Sequence, residues 1–191
     1  MALTPQKLES LLQRIGLNFT FDAAQEKEWY VGNFPTNIFL NDSKTKQLTL
    51  VIKLLDDGTF LRFLCPELYD LTDCSNKGVV FESAMQMGWI TKALAYEYDA
   101  ENKKMWAVVE TPLQDGTLTS AQLLHIINSL ISMVDDYDPV IRHAIASGEI
   151  DFQKAGKEFK EQSEPTEVEA LIAKIGGIEK LKELASGKST T

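Results

Sequence analysis

The chain has 191 residues, is 44 % hydrophobic and carries a formal net charge of −9. That apolar fraction supports a packed core and excludes global disorder. The acidic balance argues against a nucleic-acid binder, which shows a basic face, and against a protein that rests on anionic membranes.

The opening segment "MALTPQKLESLLQRIG" has no apolar signal core, and no later run approaches a membrane span, so a cytoplasmic protein is expected. Thr4 suits an N-cap and Pro5 the first helical position. Leu3 and Leu8 are placed for a hydrophobic staple. Leu8, Leu11, Leu12 and Ile15 repeat at helical spacing, and Gly16 is a natural stop.

A strand-rich stretch follows. "EWYVGNF" and "TNIFLND" are short, aromatic or β-branched, and separated by Pro35. "QLTLVIKLL" and "TFLRFLC" flank Asp56-Asp57-Gly58, a strong hairpin signal in which Gly58 is expected at positive φ. Cys65-Pro66 should end the second arm, because proline cannot donate to a sheet. Cys65 and Cys74 lack the spacing of a zinc or redox pair and read as free thiols in a reducing compartment.

From Lys77 to about Ile90 the pattern is helical, with Val80, Phe81, Ala84, Met87 and Gly88 on one side. "TKALAYEY" and "KKMWAVVET" predict a second hairpin around "DAEN". Next comes "TPLQDGTLTSAQLLHIINSLISMVDDYDPVIRHAI". Thr119 and Gln122 form a capping box, and Leu118 with Leu123 a staple. Leu123, Leu124, Ile126, Ile127, Leu130, Ile131, Met133 and Val134 cover about half of this helix's circumference. An arc that wide suggests packing on the sheet plus contact with another helix or a second subunit.

The same stretch holds both histidines and three aspartates. His125 lies opposite the apolar arc and is expected in solvent. His143 is suited to a helix C-terminus. Asp135, Asp136 and Asp138 lack the alternating ligands, central glycine and closing glutamate of a calcium loop. Asp138-Pro139 is better explained as the cap and first residue of a new helical turn. No nucleophile elbow, zinc-protease helix or phosphate loop is present, so no catalytic residue, cofactor or metal ligand is assigned.

Downstream of Gly148 the composition turns polar and rich in lysine and glutamate. Residues 1–150 hold 12 Lys+Arg and 20 Asp+Glu, against 7 and 8 in residues 151–191, so the body carries −8 and the tail −1. Within the tail, Thr166 and Glu169 suit a capping box, Val168, Leu171, Ile172 and Ile175 line one helical face, and Gly176-Gly177 permits a bend. Two parts are expected: a domain over 1–148, and a polar linker with an amphipathic helical appendage over 149–191.

The order of elements, and the passage "AVVETPLQDGTLTSAQLLHIINSLISMVDDYDPVI", resemble the YbjN-like proteins, whose fold is that of the type III secretion chaperones. Pro112, Gly116, Leu118 and Thr119 match the strand, turn and "G-x-L-T" that lead into the family's last long helix. Asp138-Pro139-Val140-Ile141 is similar to its terminal helix, and "EWYVGNF" occupies its first strand, with Trp29 in the aromatic place. The resemblance covers residues 4–147. It implies an α+β fold, an antiparallel sheet of about five or six strands with helices packed on it. It also implies protein binding, chaperone-like or regulatory, with no catalytic residues to carry over.

The function expected is a non-enzymatic module that holds a partner protein segment, with the acidic body favouring basic partners. A homodimer is expected. Candidate partner-binding residues are Leu124, Ile131, Met133, Leu171, Ile172 and Ile175. The alternatives are an enzyme with a carboxylate site in a sheet-edge cleft, or a small-ligand or metal sensor built on Asp135, Asp136 and His143.

Overall fold

The structure, a computed structural model, describes residues 2–22, 28–113 and 117–152. Its elements run α1 (Pro5–Arg14), β1 (Phe19–Asp22), β2 (Glu28–Pro35), β3 (Gln47–Leu55), β4 (Phe60–Asp70), α2 (Lys77–Thr91), β5 (Ala95–Asp99), β6 (Lys104–Pro112) and α3 (Ser120–Ser147). The six strands form one sheet in the order β1-β2-β3-β4-β6-β5, every pair antiparallel. The fold is α+β.

The pleat sorts the strand side chains onto two faces. Trp29, Ile52, Phe63 and Val109 lie in register across β2, β3, β4 and β6, and all are buried. With Leu50, Leu54, Leu61 and Ala107 they meet Leu8 and Leu12 of α1, Val80 and Met87 of α2, and Leu123, Ile127, Leu130 and Val134 of α3 in one core. The other face carries Tyr30, Val51, Lys53, Arg62, Leu64, Trp106, Val108 and Glu110. No described helix is part of the small cluster there, in which Trp106 packs against Val51, Leu64 and Val108.

The helix ends follow the sequence. Thr4 Oγ1 accepts from the Lys7 amide at 3.3 Å, and Leu3 is buried beside Leu8. Gly16 sits at φ +76°, with Gly16 N donating to Gln13 O and Leu17 N to Leu12 O, the hydrogen-bond pair of a Schellman cap. Thr119 and Gln122 form the reciprocal capping box at the start of α3.

Four expectations need correction. "TNIFLND" is not a strand: β2 ends at Pro35, and residues 36–46 form a loop. A four-residue strand, β1, precedes "EWYVGNF", which is therefore the second strand of the sheet. β4 does not stop at Pro66. It runs to Asp70 through a bulge in which Cys65 pairs with Ala107 and Tyr69 with Met105, and Glu67 takes φ +52°; a bulge is where a strand tolerates proline. Finally, Asp138-Pro139 does not open a new helix, because α3 is continuous over 28 residues with Pro139 inside it.

Candidate partner-binding groove

α2 is apolar on nearly all sides, a pattern expected of a fully buried helix. It is not fully buried. Val80, Ser83 and Met87 face the core, whereas Trp89 is 84 % exposed, Met85 77 % and Ile90 48 %. Phe81, Ala84, Met85 and Gly88, an i, i+3, i+4, i+7 row, form one wall of a groove of about 400 Å³; Tyr96 and Tyr98 of β5 form the other, with Met105 also lining it. The Phe81 and Tyr98 rings lie 5.0 Å apart.

The walls are held in place by a short, well-bonded corner. Lys92 ends α2 in the left-handed region at φ 59°, its amide donating to Gly88 O. Thr91 Oγ1 donates to Met87 O at 2.9 Å and accepts from Leu94 N at 3.1 Å, tying the helix end to the start of β5. At the other end of α2, Asn76 Nδ2 donates to Ile145 O of α3. β5 is an edge strand among the described residues, but a short one with Glu97 ion-paired to Arg62. Short, charged edges discourage strand addition, so the groove presents side chains rather than a free backbone edge.

The aspartates of α3 do a different job. Asp135 is 4 % exposed and accepts backbone amides from Asn37 at 2.7 Å, Ile38 at 2.9 Å and Phe39 at 2.7 Å. Asp138, 2 % exposed, accepts from the Tyr69 hydroxyl at 3.0 Å and from Arg142 Nε at 2.8–2.9 Å. Arg142 also donates to Leu40 O at 2.6 Å, and its guanidinium lies 5.6 Å from the ring centroids of both Phe39 and Tyr69. Burial raises the Asp138 carboxyl above its usual range, while Arg142 and Tyr69 pull it back down. Asp136, half-buried, is pushed up to about 6 by burial and by the Asp135 charge. These side chains fasten the 36–40 loop to α3 and β4. Among the described residues no group of three or more His, Cys, Asp or Glu is arranged to hold a metal ion.

The residues named from sequence are dispersed. Leu124 is 39 % exposed on α3, while Ile131 and Met133 are half-buried and pack against the protein's own core. Leu171, Ile172 and Ile175 lie outside the described residues. His125 is exposed beside Leu118 and Thr111, and His143 is half-buried with Nε2 at 3.2 Å from Ser147 Oγ. Neither histidine meets the aspartates at a shared site. The groove on α2 was missed, although "AMQMGWI" carries its signal: Met85 and Trp89 are spaced i, i+4 on the side opposite Val80 and Met87.

No family model matches the sequence, and no curated protein matches it. Solved structures do match its fold. The crystal structure of YbjN from E. coli superposes with a TM-score of 0.52 at 13 % identity, covering 78 % of this chain and 97 % of that one. A chain of the ExsC–ExsE complex gives 0.50 at 18 % identity, covering 74 % and 97 %. The fold is therefore YbjN-like and type III secretion chaperone-like, as the resemblance in sequence implies.

Proposed function

We propose that the chain is a non-enzymatic protein-binding module whose α2–β5 groove takes an apolar helical stretch of a partner protein. The observation that carries this reading is the exposure of Met85 in the wall of a preformed apolar groove, with Trp89 exposed one helical turn further along α2. Exposed apolar surface of this kind marks interaction sites, and the i, i+3, i+4, i+7 wall suits the apolar stripe of a second helix. The body's charge of −8 over residues 1–150 favours basic residues flanking that stripe. A structural neighbour was solved within a complex of two proteins, which is consistent with the reading. Of the residues a metal sensor would draw on, Asp135, Asp136 and His143, the first is already engaged in holding the 36–40 loop. Both cysteines are free thiols, which fits a reducing cytoplasmic setting.

The test is a fluorescence-anisotropy titration with a synthetic, lysine-flanked helical peptide carrying leucines at i, i+3, i+4 and i+7, against a control with the leucines scrambled. Met85→Lys and Trp89→Lys alter exposed side chains and leave the fold intact. Each should weaken the striped peptide about tenfold or more, as expected for a hot spot formed by groove-lining Met85 and the exposed Trp89 beside it. Equal binding of both peptides, or equal binding by wild type and variants, refutes the proposal. A concentration-dependent doubling of mass that Trp89→Lys abolishes would instead assign the face to a second copy of the chain.

A further inference from the structure

"AMQMGWI" puts two methionines two residues apart on α2, and the helix turns them to opposite fates. Met87 is fully buried in the core, whereas Met85 is 77 % exposed in the wall of the α2–β5 groove. Met105 also lines the groove but is 1 % exposed, and Met133 is half-buried against the core. Among the described residues Met85 is therefore the one methionine that stands mostly in solvent. Its place matters as much as its exposure. Phe81, Met85 and Trp89 follow one another at i, i+4 and i+8, so Met85 is at the middle of an apolar row. The side chains that line the groove with it offer two donors, the Tyr96 and Tyr98 hydroxyls; the Glu97 carboxylate only accepts. An oxygen added to the Met85 sulfur is a strong acceptor. A partner's apolar stripe laid over it would bury that acceptor with little to bond it.

We propose that Met85 is an oxidation switch on this groove: a hydroperoxide converts its thioether to the sulfoxide, and the sulfoxide releases the apolar partner. The switch rests on the partner-binding reading of the groove. In the step itself the sulfur lone pair takes the terminal oxygen of the peroxide. The S–O bond forms as the O–O bond breaks, the sulfur gives up two electrons, and the peroxide leaves as water or an alcohol. A dithiol, acting through a sulfoxide reductase, returns the thioether and gives a disulfide and water. The surface that admits the oxidant is the surface the partner covers, so occupancy and oxidation oppose one another. The thiols lie elsewhere. Burial pushes the Cys65 thiol up to about 12, which keeps it from forming a thiolate, and half-buried Cys74 lines a separate cavity ahead of α2. Because Met85 makes little of the core, its oxidation leaves the packing of α2 in place; oxygen on Met87 or Met105 would not.

The experiment treats the full chain with hydrogen peroxide, then with dithiothreitol to restore any oxidised thiol. The product is mapped by peptide mass spectrometry and titrated with the lysine-flanked striped peptide. One added oxygen should appear at Met85 well before Met87, Met105 or Met133, with Tm unchanged. Binding should weaken about tenfold or more, as for an unpaired buried acceptor, and should return after treatment with the two stereospecific sulfoxide reductases. Striped peptide at saturation should slow the oxidation of Met85. Met85→Leu supplies the reference: whatever its own affinity, peroxide should leave that affinity where it was. Oxygen appearing first at another methionine overturns the site. Undiminished binding by protein oxidised at Met85, or an equal loss of binding in peroxide-treated Met85→Leu, overturns the switch. Failure of the untreated protein to bind the peptide fells the partner reading and the switch with it, while the peptide map still decides whether Met85 is the oxidation site.

Discussion

Gly58→Ala tests how firmly the β3–β4 hairpin is joined to the N-terminus. Asp56, Asp57 and Gly58 take successive positive φ values of 48°, 52° and 88°. At φ +88° an alanine pays the left-handed penalty of roughly 1–2 kcal/mol. Space adds to this: a Cβ on Gly58 would lie 2.0 Å from Leu3 O, and Leu3 N donates to Gly58 O at 2.9 Å. The Leu3 backbone must move, losing that hydrogen bond, worth about 1 kcal/mol, and part of the burial of a leucine side chain, worth about 1–2 kcal/mol. The expected destabilisation is roughly 3–5 kcal/mol, or about 8–15 °C in Tm for a chain of this size. Urea denaturation of Gly58→Ala, Leu3→Ala and the double variant separates the terms. Leu3→Ala should cost about 2 kcal/mol in the wild type and close to nothing in the Gly58→Ala background, because Leu3 has already left its site. A loss of about 1 kcal/mol for Gly58→Ala, additive with Leu3→Ala, would show that the turn relaxes without displacing the N-terminus and would refute the reasoning.

Three further predictions concern α3. Asp135→Ala strands three backbone donors at residues 37–39 and should cost roughly 3–5 kcal/mol, with the Asn37, Ile38 and Phe39 amides losing hydrogen-exchange protection first; unchanged protection would show that the loop does not depend on this carboxylate. Asp136 has a folded pKa raised from 3.8 to about 6, so its contribution favours the fold below the unfolded value and is lost as pH rises through about 6. Asp136→Asn should therefore stabilise by about 1 kcal/mol at pH 7.5, a figure discounted for the half-exposed carboxyl, and by nothing at pH 3.5; denaturation midpoints at the two pH values check this, and a gain equal at both would sink it. Arg142→Lys keeps the charge but cannot bond Asp138 side-on, reach Leu40 O and lie against Phe39 and Tyr69 together; a loss of roughly 1–2 kcal/mol is expected, and a neutral result would mean that charge alone suffices.

Much of the frame was legible because its signals are local. Thr4, Gly16, Thr119 and Gln122 mark helix ends by their own side chains or backbone freedom, and Asp56-Asp57-Gly58 marks a turn. The failures lie where a distant contact decides. "TNIFLND" has strand composition, but Asp135, nearly a hundred residues away, binds the amides of 37–39 and holds them as a loop. Pro66 is a fair strand terminator on local grounds, yet β6 accommodates it in a bulge. The wide arc of α3 was visible, but not that Ile131 and Met133 would be absorbed by the protein's own core while the open apolar surface fell to α2. Helical periodicity reports which residues share a side; it does not report which side is left without a neighbour.

Pro139 shows how the acidic cluster and the groove belong to one design. Inside a helix, proline removes the amide that would bind the carbonyl four residues earlier, here that of Asp135, at a cost of about 3 kcal/mol. α3 nevertheless continues for another two turns, and both buried carboxylates flank the defect. Asp135 fastens one side to the 37–39 amides, and Asp138 fastens the other to Tyr69 and Arg142. Bonds to the 37–39 amides and to Tyr69 thus add to the Asp138–Arg142 pair within the helix to support α3 across the defect. Because it continues, Ile145 reaches Asn76 and sets the start of α2. α2 is then fixed at both ends, by Asn76 and by the Thr91–Leu94 corner, while the row from Phe81 to Gly88 between them faces the groove. A groove with anchored ends loses little conformational freedom when it is filled, which is the condition under which a small apolar surface binds usefully.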